Sequence, residues 1–340
     1  MRLRLKMRSL TMNELPPPPP DKTGWPWTEE TPPLPESMPD GSPWPRISIV
    51  TPSYNQGQFI EETIRSVLLQ GYPNLEYIIM DGGSTDNSVE IIKKYEPWLA
   101  YWVSEKDRGQ SHAINKGFEK STGEIMAWIN SDDFYFPECL HKVALAFFSH
   151  PYAGFVVGGI APADESSCLG KVQVPKLPAG APVDLTLLDP DSWHLPQASA
   201  FFSRKLLSEI GAWVREDLHY TMDRELFYRA AYKSNLIILE QALATFRHHP
   251  QSKTTAYILS AFEETRKSFA YCNIGVDKQK KLRARILKFR LAQGYYYYAN
   301  TVWGIQAFMY FVKAVIFRPE YIFRLSFLKN AFKKSILKIR

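Results

Sequence analysis

An α/β fold on a mostly parallel, Rossmann-like sheet, with helices on both faces and a helical C-terminal extension, is what this sequence predicts. Two observations predict it. From residue 46 to residue 150, short β-rich runs alternate with segments of helical period. Such alternation builds a parallel sheet with helices packed on it. Polar clusters fall at the ends of the β-rich runs, at residues 51–55, 81–85, 104–108 and 130–133. Open sheets of this kind bind ligands at those carboxyl ends.

The elements follow in order. Residues 47–51 form a β-rich run that ends at Pro52, and residues 58–70 carry Ile60, Ile64, Val67 and Leu68 at helical spacing. Residues 75–80 are the next strand, and residues 86–88 can cap a helix that runs to Tyr95. Strands are expected at 101–103 and 125–129, with helices over 110–120 and 138–148. Beyond 150 the alternation loosens, with strands expected at 155–160, 171–174 and 198–202, helices at 204–210 and 223–232, and a short strand at 236–239. From residue 255 the chain reads as helical.

Residues 1–45 hold 12 of the 25 prolines. Proline fixes φ and lacks an N–H, so this stretch reads as an extended, mostly disordered leader. The domains expected are thus the leader 1–45, a core domain over 46–255, and a basic helical extension over 256–340.

Composition narrows the function. With 45% apolar and 22% charged residues, the 340-residue chain can bury a core. Three scattered cysteines make neither a zinc knuckle nor a disulfide framework, so a reducing, cytoplasmic setting is expected. From Trp303 onward eight basic residues face one acid, which accounts for the net charge of +6. No whole-protein field for nucleic acid is implied. A local anionic partner is, such as the inner face of a membrane. The uncharged run 291–312 is long enough to span a bilayer, but Gln293, Asn300, Gln306 and four consecutive tyrosines favour a packed or interfacial helix.

Several clusters carry chemistry. Asp132 and Asp133 are adjacent carboxylates at a strand end. Their side chains diverge, so one can meet a ribose hydroxyl and the other a divalent cation. Mg²⁺ or Mn²⁺ suits such oxygen ligands and is completed by substrate phosphates. A helix-capping turn is the plainer alternative. Asp81, before Gly82 and Gly83, can accept an N–H from a base, or simply close a turn. Thr51, Pro52 and Tyr54 offer backbone, a hydroxyl and a stacking ring. Arg108 is a cation suited to a diphosphate, or to a surface salt bridge. Asp223 opens a helix, where the anion is stabilised. His248 and His249 sit on a loop after the short strand and could complete a metal site.

Together these residues resemble the family 2 glycosyltransferases, inverting enzymes with the GT-A nucleotide-sugar fold. The resemblance rests on SIVTPSYNQGQFIEETIRSVLLQGYPNLEYIIMDGGSTDNS, SEKDRGQSHAINKGF and INSDD, and continues through HLPQASAFF, MDRELFYRA and FRHHPQSKT. It implies that 46–133 binds the donor and 134–255 the acceptor. By position, Thr51, Pro52 and Tyr54 would line the base and ribose pocket, and Asp81 would contact the base. Asp132 would meet the ribose or sugar and Asp133 the metal. Asp223 would be the general base. His249 would meet the metal and diphosphate, with His248 beside it, and Gln197 would lie near acceptor or sugar. Two departures stand out. Many relatives carry two consecutive acids where this chain has Asp81-Gly82, which leaves the nucleotide open, and many carry an acid where this chain has Met222. The Gln-x-x-Arg-Trp of processive synthases is missing, so single additions to a glycan or lipid-linked acceptor are expected. Two rivals are a nucleotidyltransferase, whose basic phosphate loop TPSYNQGQ lacks, and a non-catalytic nucleotide-sugar or glycan-binding protein on the same scaffold.

Overall fold

The computed structural model describes residues 9–175 and 195–249 apart from position 212, isolated positions from 252 to 295, and residues 305–319. Seven strands form one sheet: β1 (Ile47–Ser53), β2 (Leu75–Asp81), β3 (Tyr101–Ser104), β4 (Ile125–Trp128), β5 (Ala153–Ala163), β6 (Ala200–Ser203) and β7 (Asn235–Arg247). Their order is β3-β2-β1-β4-β6-β5-β7. Strands β3, β2, β1 and β4 run parallel, β6 is antiparallel to both its neighbours, and β7 is parallel to β5.

The helices are α1 (Ile60–Leu68), α2 (Ser88–Tyr95), α3 (Gln110–Lys120), α4 (Cys139–Ser149), α5 (Arg204–Glu209), α6 (Met222–Lys233) and α7 (Ile305–Phe317). Alternate residues of a strand face opposite sides, and the two faces of β1 show it. Ile47 and Ile49 pack with α1, α2 and α4, while Val50 packs with α3, α5 and α6. Both faces are covered, so β1 is buried along its whole length, its polar Ser48, Thr51 and Ser53 included. Helix α3 lies so close to β1 that a Cβ at Gly117 would sit 2.4 Å from Val50 Cγ1.

Three expectations are corrected. The leader is not loose: from residue 9 onward it lies against α1 and α4, with Leu15, Trp27, Met38 and Trp44 buried. Proline lacks an N–H but keeps its carbonyl, and the carbonyls are what hold it. The fully buried Arg65 donates to the carbonyl oxygens of Pro16 (2.8 Å), Pro26 (3.0 Å) and Trp27 (3.0 Å). Trp25 Nε1 donates to the carbonyl of Tyr135 at 2.7 Å. Second, β7 is 13 residues long and runs to Arg247, so His248 directly follows a strand rather than a loop. Third, 171–174 is not a strand of its own; Gln173 makes one isolated bridge to Ile160.

Most of the extension expected at 256–340 lies outside the described residues. Helix α7 overlaps the uncharged run 291–312. It buries Phe311 and Ala314 and exposes Met309, Val312 and Ile316. Among the described residues no helix is long and apolar enough to cross a membrane.

Candidate active site

The sheet order reverses between β1 and β4, and ligands of open α/β sheets bind outside such a point. The end of β7 reaches this place. Phe134 N donates to Thr245 Oγ1 at 2.9 Å, Thr245 N donates to the Phe134 carbonyl at 2.8 Å, and Tyr135 bridges Ala244. This lacing brings His249 to Asp132, with Nε2 and Oδ2 3.0 Å apart. The His249 ring is buried and tilted against Phe59, while Asp132 keeps 19% of its side chain exposed. His248 is exposed and packs on Phe246 instead.

Asp133 points inward. Its Oδ1 accepts the backbone N–H of Arg247 at 2.8 Å, its Oδ2 accepts from Asn130 Nδ2 at 3.4 Å, and its carbonyl accepts from Thr63 Oγ1 at 2.6 Å. Burial, and then the charge of Asp132, hold its carboxyl well above the usual carboxylate range. Asp133, the residue expected to meet the metal, is thus turned toward Arg247 and Asn130. The two side chains do diverge, but Asp132 is the one turned to the imidazole and to solvent.

Arg247 locks this arrangement. Its guanidinium donates to the Asp132 carbonyl (2.6 Å), to Glu62 Oε2 (2.7 Å), to the Asp164 carbonyl (2.9 Å) and to Ser167 Oγ (3.0 Å). It also lies 4.7 Å from the Phe59 ring centroid. Both members of the Glu62–Arg247 ion pair are buried. Gln197 joins the same edge: its Nε2 donates to the Trp128 carbonyl at 2.7 Å and its Oε1 accepts from Asn130 at 3.2 Å. Gln110 donates to Asn130 Oδ1 at 2.7 Å.

Other expected residues stand apart. Thr51 turns its hydroxyl into the core, 3.0 Å from Tyr77 Oη, so only its backbone can line a pocket. Pro52 is buried in β1, and Tyr54 presents a ring that is 60% exposed. Asp81 is 2% exposed and accepts from the N–H groups of Gly83 and Ser84 and from the hydroxyls of Ser84 and Ser104. The charge expected from Arg108 at a diphosphate is already paired with Glu216 at 2.7 Å. Asp223 is the second residue of α6, and its Oδ1 accepts the N–H of Arg224 at 2.7 Å. Burial raises its pKa. It makes no hydrogen bond to the Asp132 group.

Among the described residues no cluster of three or more His, Cys, Asp or Glu side chains could enclose a metal ion. Asp132 Oδ2 and His249 Nε2 supply two donors. His249 Nδ1 is buried without a hydrogen-bond partner. One carboxylate and one imidazole fit an Mg²⁺ or Mn²⁺ that takes its remaining ligands from phosphates and water.

Residues 48–211 match the model of glycosyl transferase family 2. This stretch is a family 2 glycosyl transferase domain. An uncharacterised glycosyltransferase of Nostoc sp. is 25% identical over 283 residues, covering 77% of this chain and 85% of that protein. An uncharacterised glycosyltransferase of Mycobacterium tuberculosis is 28% identical over 207 residues, covering 59% and 75%. Among solved structures, S. aureus TarS 1–349 in complex with UDP-GlcNAc aligns with a TM-score of 0.60 at 17% identity, covering 84% of this chain and 81% of that one. The longer TarS chain is covered to 43%. At this identity the likeness is one of fold, and the sheet is that of the GT-A transferases.

The candidate site also contains residues that spacing alone does not single out. Glu62 and Arg247 are 185 positions apart, and Gln110 and Asn130 are 20 apart. The available signal was slight: charged residues at 62 and 65 within a helix of apolar period, and an arginine that follows the run 242–246.

Proposed function

We propose that this chain is a metal-dependent, inverting glycosyltransferase that moves one sugar at a time from a nucleoside diphosphate donor to an acceptor hydroxyl, in polysaccharide or glycolipid synthesis. The observation that carries this reading is the 3.0 Å Asp132–His249 pair at the switch point of a family 2 domain. A divalent cation bound there would neutralise the charge that develops on the leaving diphosphate.

The chain's own residues do the rest. Asp132 and His249 place the diphosphate end of the donor at β4. Asn130 and Gln197, already bonded to each other, present amide groups to sugar hydroxyls at the same edge. Tyr54 is free to stack on the nucleoside. Asp223 takes the acceptor proton as the acceptor oxygen attacks C1 from the face opposite the leaving group. A carboxylate whose pKa burial has raised is a better base near neutral pH than an ordinary one. Single displacement inverts the anomeric centre.

Membrane attachment belongs to the same reading. The stripe Met309, Val312 and Ile316 on α7 is exposed and precedes a strongly basic tail. It would rest on the inner, anionic leaflet beside a lipid-linked acceptor.

The test is a panel of nucleotide sugars with and without Mn²⁺, read by thermal shift and by donor hydrolysis. A metal-dependent shift with one donor, lost in Asp132→Ala and kept in Asp223→Asn, is expected. Turnover in Asp223→Asn should fall by roughly 10²-fold or more. Donor binding that needs no cation, or that survives Asp132→Ala, would defeat the proposal.

A further inference from the structure

We infer that Asp107 is the residue that reads the donor's base, and that it selects bases carrying a ring N–H, namely uracil, thymine or guanine, over cytosine and adenine. This rests on the reading of the domain as a nucleotide-sugar transferase and of Asp132–His249 as its diphosphate end.

A nucleotide anchored at β4 has one direction in which to extend along the strand ends. β1 and then β2 follow, each step being about 4.8 Å, so the end of β2 is roughly 10 Å from the end of β4. That is on the scale of one ribose and one phosphate. Tyr54 stands exposed just past β1, on the way. The base therefore arrives at β2 and β3.

Of the carboxylates there, Glu105 is paired with Lys116 and Asp86 accepts the N–H groups of Gly57 and Ser88, which leaves Asp81 and Asp107 to compare. Asp81 takes four hydrogen bonds, three on Oδ2 from Gly83 N (3.1 Å), Ser84 N (2.9 Å) and Ser104 Oγ (2.6 Å), and one on Oδ1 from Ser84 Oγ (2.5 Å). A carboxylate has about four such positions, so Asp81 holds its own turn together. Asp107 is half-buried on the loop between β3 and α3. Its Oδ1 accepts the N–H of Gly109 at 2.7 Å, and among the described residues no hydrogen bond is made to its Oδ2.

The position of that free oxygen is specific. A Cβ built on Gly82 would lie 2.9 Å from Asp107 Oδ2 and 3.3 Å from its Cγ. Gly82 does not occupy the left-handed region, so its backbone would accept a side chain. What leaves no room for one is Asp107. The carboxylate of Asp107 thus fills the place where a side chain at position 82 would begin, beside the turn Asp81 organises. It is an acceptor only. It suits the N3–H of uracil or thymine and the N1–H of guanine. Cytosine N3 and adenine N1 carry no proton and would oppose it.

Calorimetric titration of the full chain with UDP, GDP, CDP and ADP in Mn²⁺ tests this, with melting temperature read in parallel. Asp107→Asn keeps an oxygen for the Gly109 N–H but turns the free end into an amide donor. The wild type is expected to bind UDP or GDP at least about tenfold more tightly than CDP and ADP, the value of one charge-assisted hydrogen bond. Asp107→Asn should erase that preference with no change in melting temperature or in Mn²⁺ dependence. Gly82→Asp alone should weaken binding by crowding Asp107, and Gly82→Asp with Asp107→Ala should recover the preference. A preference retained by Asp107→Asn, or wild-type binding that does not distinguish UDP and GDP from CDP, overturns the assignment while leaving the transferase reading intact. Wild type that binds no nucleotide removes both.

Discussion

Helix α1 faces two regions of the molecule through two buried charges and engages them by different means. Toward the leader it sends Arg65, whose acceptors are three backbone carbonyls and the Tyr95 hydroxyl. Toward the active site it sends Glu62, whose partner is the Arg247 guanidinium. Carbonyls belong to every residue, so the leader is gripped through groups that its unusual composition does not alter. The site is gripped through side chains that no other residue type replaces. A buried guanidinium surrounded by carbonyls holds a segment in place, whereas a buried ion pair fixes the geometry of the groups around it.

The largest effect that would test this contrast is removal of residues 1–45. It removes the carbonyl partners of Arg65 and uncovers the surface that Leu15, Trp27, Met38 and Trp44 bury, each such side chain contributing about 1.5–3 kcal/mol. Together these rival the whole stability of an ordinary domain. Loss of a cooperative melt is expected; a truncated protein that melts like the full chain would show the leader to be an ornament. Next is Glu62→Ala, which takes the carboxylate from buried Arg247 and leaves it the neutral acceptors of Asp132, Asp164 and Ser167. Destabilisation of about 3–5 kcal/mol in denaturant titration is expected, together with weaker Mn²⁺-dependent donor binding. Destabilisation without the binding defect would separate Arg247 from the site.

A smaller effect concerns pH. The base role proposed for Asp223 needs its carboxylate ionised, and burial raises its pKa. The acidic limb of the kcat/KM profile should therefore lie above the ordinary carboxylate range, with activity rising as pH increases through it. Asp223→Asn should flatten that limb. A limb that persists unchanged in the variant assigns it to another group. The smallest effect is Pro16→Ala, which keeps the carbonyl that Arg65 uses. A change within about 0.5 kcal/mol is expected, and a loss of several would mean that the leader is held by its ring contacts rather than by its backbone.

The sequence displayed the donor strands well because they are buried on both sides. The runs at 47–50 and 77–80 are apolar except for Ser48, as central parallel strands largely are. Strand β7 was cut short by Glu240 and Gln241, which an edge strand with shifted register tolerates. The leader was misjudged because counting missing N–H groups overlooks the acceptors that remain. At the site, the aspartate pair and the histidine were visible as residue types. Which carboxylate turns inward was not visible, because the backbone N–H of Arg247, 114 positions away, decides it.

The leader's contacts also bear on the order in which the protein assembles. Pro16 meets Arg65 across 49 residues and Trp25 meets Tyr135 across 110. At roughly 5–20 residues per second, the ribosome releases Trp25 about 5–20 s before its partner exists. The Pro16 contact can thus form once α1 is made, whereas the Trp25 contact must wait until the chain has reached Tyr135. A proline-rich chain waits well: it offers few N–H groups to form premature strands, and it arrives with its carbonyls still unclaimed.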